Sequence, residues 1–200
     1  NNLGTLYMEQ GKYDEADALF RKVLAGLRKT TDSNQIDIAG VIHNLSLVAR
    51  KQGHYPESER LSREALEEYK KLPANFTLPQ ANVHTTLGNM YAELGRYAEA
   101  EAAHREALKI RLASLSKNHP LVADSLNNLA HVFNSRSQME QAQTHYQQAL
   151  EIRVSAFKTE NHPAVAAIVN NLGSVSQRLG KTGEAEKYYE RAARIQKSLN

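Results

Sequence analysis

Five leucines set the terms for this chain: Leu3, Leu45, Leu87, Leu129 and Leu172 stand 42, 42, 42 and 43 residues apart. They head the stretches LGTLYMEQGKY, LSLVARKQGHY, LGNMYAELGRY, LAHVFNSRSQM and LGSVSQRLGKT. Self-similarity at such a period marks a stacked array, in which each unit buries its apolar face only against its neighbours. The one longer step arises where SLSKNHP becomes SAFKTENHP, an insertion in a connection, where insertions are cheapest. Five copies result, spanning approximately 1–30, 31–73, 74–116, 117–158 and 159–200.

Each copy has the same grammar. A first helix starts near Pro120 or Pro163, because proline's missing N–H is no loss at the first helical position. It stops at Gly11, Gly53, Gly95 or Gly180, with Ser137 the exception. A second helix starts at YDEA, YPES, YAEA, MEQA or TGEA and continues through ALEEY, ALKIR, ALEIR and AARIQ with a 3.6-residue period. No alternating strand pattern or Asn-Gly hairpin interrupts this, so the fold class is all-α.

The leucine, the small residue behind it, the aromatic four places on at Tyr7, Tyr91 and Phe133, and the alanines Ala16, Ala100, Ala142 and Ala185 resemble the tetratricopeptide repeat. The 42-residue period, the NHP connections, LNNLA and the ALKIR and ALEIR stretches are similar to its kinesin-light-chain-like subtype. The resemblance implies a right-handed α-solenoid of about five helix-turn-helix repeats, with first helices lining a concave groove. It implies a non-catalytic interaction scaffold or adaptor. The kinesin-light-chain groove is basic and takes acidic cargo peptides, whereas Lys51 and Arg178 here are offset by Glu9, Glu93 and Asp124. The opening copy lacks a counterpart of NHPLVADSL, and Ile195 and Leu199 continue an apolar stripe past the last copy. The chain therefore reads as a piece of a longer protein, with an end-face contact expected at Ile195 and Leu199.

Helical geometry separates two faces of each first helix. At about 100° per residue, Val122, Leu126, Leu129 and Phe133 fall on one side, the expected core. The other side collects Asp124, Asn127, Asn128 and His131; its counterparts include Asn44, Leu47 and Lys51, then Asn82, Thr86 and Asn89, then Asn170, Asn171 and Arg178. Asparagine recurs at one offset in Asn2, Asn44, Asn128 and Asn171, although a plain solvent face favours Glu, Lys or Gln for helix propensity. An amide both donates and accepts, so such a row can hold the backbone of an extended peptide without selecting its side chains. The alternatives are a merely solvated face or bonds to neighbouring helices, or a structural role in which end or convex surfaces bind further copies or, as the resemblance to bacterial kinesin-light-chain relatives implies, a tubulin-like filament.

Composition excludes several chemistries. The chain has no Cys, hence no disulfide or thiolate, and its 25 basic residues are nearly matched by 22 acidic ones, too small an excess for nucleic-acid binding. No apolar run reaches the roughly 20 residues of a membrane span. A cytoplasmic protein without cofactor or metal is the expectation. His119 and His162 recur before proline and read as helix starts, while His84 stands where other copies place Ile42, Leu126 and Val169 and reads as a buried, satisfied histidine. No phosphate loop or nucleophile elbow is present, and the carboxylates are scattered.

Overall fold

A computed structural model describes residues 2–29, 35–73 and 77–199. These residues form ten helices and no strand, divided between two compact units, Asn1–Arg96 and Tyr97–Asn200. The first holds α1 (Asn2–Glu9), α2 (Tyr13–Leu27), α3 (Gln35–Lys51), α4 (Tyr55–Lys70) and α5 (Leu78–Glu93). The second holds α6 (Tyr97–Ser114), α7 (Pro120–Ser135), α8 (Met139–Phe157), α9 (Pro163–Arg178) and α10 (Thr182–Leu199).

The turn between paired helices explains the glycine spacing. Gly11, Gly53, Gly95 and Gly180 adopt φ of 73°, 77°, 72° and 74°, and Ser137 holds the same left-handed conformation at 59°. The next N–H then reaches back five residues, as Lys12 does to Tyr7 O at 2.8 Å and Gln138 to Phe133 O at 2.9 Å. That bond satisfies a carbonyl the ending helix leaves open.

The histidines before proline cap helices. His119 Nδ1 accepts from Leu121 N and His162 Nδ1 from Ala164 N, each at 3.1 Å, while Pro120 and Pro163 begin the helix. A ring nitrogen thus does the work usually given to Ser or Asp. The His162 ring also stacks on Phe157 at 3.7 Å between centroids.

Packing follows a knob-and-hole register. The residue after the repeat leucine is small (Gly4, Ser46, Gly88, Ala130, Gly173), and seventeen places after the leucine stand Phe20, Ser62, His104, Tyr146 and Tyr189. Phe20 packs over Gly4, and Tyr189 over Gly173. Around these knobs, Ile42, Leu45 and Val48 build the core of the first unit, and Leu129, Phe133, Tyr146 and Leu172 that of the second. Each such large side chain contributes about 1.5–3 kcal/mol by leaving water.

Candidate functional site

The polar stripe separates into residues that tie helices together and residues that remain open. In the first unit, Thr86 is buried, only 4% exposed; its Oγ1 donates to Asn82 O at 3.1 Å and lies 2.9 Å from His43 Nε2. With the hydroxyl proton directed at that carbonyl, Nε2 carries the imidazole proton and donates to Thr86. Burial pushes the His43 ring down to about 4, so it stays neutral. Arg50 pairs with Glu93 and further links α3 to α5. Asn44, Asn89 and Leu47 are half-buried and Lys51 is exposed, and none of their polar side chains has a hydrogen-bond partner among the described residues. Asn82 is exposed on the same face.

In the second unit, Arg178 reaches from α9 to the end of α7. Its Nη1 donates to Asn134 O at 3.0 Å and Asn134 Oδ1 at 2.6 Å, and its Nη2 to Ser137 Oγ at 3.1 Å. Asn171 Nδ2 donates to His131 Nε2 at 3.4 Å, and the His131 ring stands edge-on to Tyr146. Burial lowers the His131 pKa. Asp124 is ion-paired with Arg153 of α8. What stays open is Asn127, Asn128 and Asn170: none makes a side-chain hydrogen bond among the described residues, and Asn127 Oδ1 is buried without a partner. Asn170 faces a hollow of about 490 Å³ lined also by Ala166, Ala192 and Leu199.

Several expectations change on this geometry. Thr86, Asp124, Arg178, and the Asn171–His131 pair are engaged with neighbouring helices, as the bonding alternative for the stripe requires. Ile195 is not an exposed end contact: it is 3% exposed and packs with Val169 and Leu172, because it lies three residues past Ala192 on the inner face of α10. Leu199 keeps 41% of its surface exposed. His84 is only half-buried. The buried histidine is His104 instead, 2% exposed, with Nδ1 lacking a partner and its pKa pushed down to about 4, chiefly by burial. Its position, shared with Phe20 and Tyr146, was the signal that identifies it as a knob.

Sequence reasoning also missed a recurring link between copies. Glu59 accepts from Arg96 at 3.1 Å, and Gln143 Oε1 from Lys181 at 2.9 Å. Glu59 and Gln143 hold the same place in their copies, as do Arg96 and Lys181 in theirs. An acceptor at one offset and a cation at another, one period later, is legible once the copies are aligned. Among the described residues no helix is long and apolar enough to cross a membrane.

The family model described as tetratricopeptide repeat matches residues 1–71, 79–155 and 126–198, and a second model of the same description matches 43–113. No curated protein compared with the chain matches it. Among solved structures, BtubC (BKLC) from P. vanneervenii is similar with a TM-score of 0.88 at 23% identity, over 99% of this chain and 78% of that one. A putative kinesin light chain of nearly identical TPR-like repeats from Podospora anserina gives 0.80 at 22%, over 100% and 94%. The Rap conjugation gene regulator of plasmid pLS20, in complex with the Phr* peptide, gives 0.73 at 18%, over 98% and 52%. These likenesses bear on the fold.

Proposed function

This chain belongs to the tetratricopeptide repeat family, and we propose that it is a non-catalytic scaffold that holds an extended segment of another protein along the first-helix stripe. The observation that carries this reading is the set of amides without side-chain partners among the described residues: Asn44 and Asn89 in one unit, Asn128 and Asn170 in the other. Asn44, Asn89, Asn128 and Asn170 each offer a donor and an acceptor to a peptide backbone, which supports retention with little side-chain selection, whereas the Asn127 Oδ1 is buried and does not take part. Leu47 offers an apolar contact, and Lys51 a cation without an ion-pair partner among the described residues. A peptide complex is part of the description of one structural relative, the plasmid pLS20 regulator.

The second reading, self-assembly or filament binding, is favoured by a different observation. Leu112 is 47% exposed on α6, a second helix within the array. Capture from source-cell lysate separates the two readings. An Asn44→Glu/Asn128→Glu variant that stays folded by circular dichroism loses its partner if the stripe is the site. Retention of the partner by that variant, with loss in Leu112→Glu, would move the function to the other surface.

A further inference from the structure

Four histidine rings in the Tyr97–Asn200 unit fit their places only while they are uncharged. His119 Nδ1 and His162 Nδ1 each accept a first-turn N–H, at the starts of α7 and α9. His131 Nε2 accepts from Asn171 Nδ2 at 3.4 Å and so ties α7 to α9. His104 on α6 is 2% exposed, and its Nδ1 has no hydrogen-bond partner. A protonated imidazole has two N–H donors and no acceptor, so acid removes all three bonds and puts a charge into the core at His104. At the two helix starts the new charge also meets the positive end of the helix dipole.

The groups around these rings do not stabilise the charge. Burial chiefly disfavours it on His104, and the neighbours that act on this ring, Arg111 of its own helix and His131 of α7, are themselves cationic when protonated. Asp124 of α7, which acts on Arg111, is already paired with Arg153. His131 stands edge-on to the uncharged phenol of Tyr146 on α8. His162 stacks on Phe157, over which Arg153 also lies, and nearby Glu160 is paired with Arg191. Lys117 precedes His119 by two places. Among the described residues, no carboxylate pairs with any of the four rings.

The helices affected, α7 and α9, are those that carry Asn128 and Asn170. We propose that this unit is an acid-loosened part of the stripe, in which proton uptake at His104, His119, His131 and His162 frees the starts of α7 and α9 and lets go what their amides hold. The identity of that site rests on the stripe reading above, whereas the loosening does not. With the His104 ring pushed down to about 4 in the folded unit and at 6.5 once exposed, this ring alone raises the open population about thirtyfold between pH 7.5 and 5.0.

Two measurements on the isotope-labelled chain alone test this. The couplings across the hydrogen bonds from Leu121 N to His119 Nδ1 and from Ala164 N to His162 Nδ1 should be present at pH 7.5 and gone at pH 5.0. Amide exchange in α7 and α9, referred to the intrinsic rate at each pH, should lose about tenfold or more of its protection over the same interval. His104→Phe/His119→Asp/His162→Asp, folded by circular dichroism at pH 7.5, should keep that protection at pH 5.0. Phenylalanine is the residue α2 has in this place, at Phe20, and aspartate stays ionised at pH 5.0 and caps equally well. Couplings that persist at pH 5.0, unchanged protection, or an equal loss in the triple variant overturns the proposal. Asn44→Glu/Asn128→Glu should loosen as the wild type does, which keeps this result separate from the fate of the stripe.

Discussion

The ring of Phe20 occupies the space that a side chain on Gly4 would need: its Cε1 and Cζ lie 2.5 Å from where a Cβ would stand. Phe20 is fully buried, so the ring cannot swing aside. Gly4→Ala should therefore destabilise the protein by about 1–3 kcal/mol through overpacking. Gly26, near the end of α2, has nothing within 4 Å of the same atom. There Gly26→Ala should stabilise by about 0.5–1 kcal/mol, through helix propensity alone. Urea unfolding of the two variants should give shifts of opposite sign.

Acidification should weaken the fold through His104. Its folded pKa is pushed down from 6.5 to about 4, chiefly by burial, so the unfolded chain takes up the proton first. The stability contributed by the neutral ring is complete above pH 6.5 and is lost as the pH falls toward 4. The loss is on the order of 3 kcal/mol for one ring. His43, lowered to about 4 by burial, acts in the same direction. Unfolding midpoints measured between pH 7.5 and 4.5 should fall steeply in the wild type and less so in His104→Phe.

Ser137 occupies a backbone conformation that its four counterparts give to glycine, with φ of 59°. Ser137→Gly should relieve about 1 kcal/mol of local strain and raise Tm by about 2–4 °C. Its exposed hydroxyl bond from Arg178 is a small loss. A lower Tm in the variant would mean that the Arg178 contact outweighs the strain.

The capping role of His119 predicts that His119→Ala costs about 1 kcal/mol, while His119→Asp, which also accepts from a first-turn N–H, keeps most of the stability. Thermal unfolding at neutral pH distinguishes the pair.

The helices were legible because each boundary has a local chemical cause. Pro120 and Pro163 open first helices, and Gly53 and Gly180 close them, without reference to anything distant. The core face of α7 followed from 3.6-residue periodicity, and Val122, Leu126, Leu129 and Phe133 are all buried. The candidate site was less legible, since angle around a helix places a side chain on a face but not in a bond. Thr86 and Asn128 share that face; Thr86 lies beside His43, and the Asn128 side chain has no hydrogen-bond partner among the described residues. Ile195 was misread because the sequence shows its apolar stripe without showing that α9 covers it.

The links between Glu59 and Arg96 and between Gln143 and Lys181 join a residue only to one in the following copy. Removing or duplicating a whole period at such a seam keeps equivalent positions opposite each other, although the cation recurs in Lys12, Arg96 and Lys181 and gives way to His54 and Gln138 in the other copies, while cutting out half a period removes that correspondence. The gene for a chain built this way is free to change length, but in quanta of one repeat.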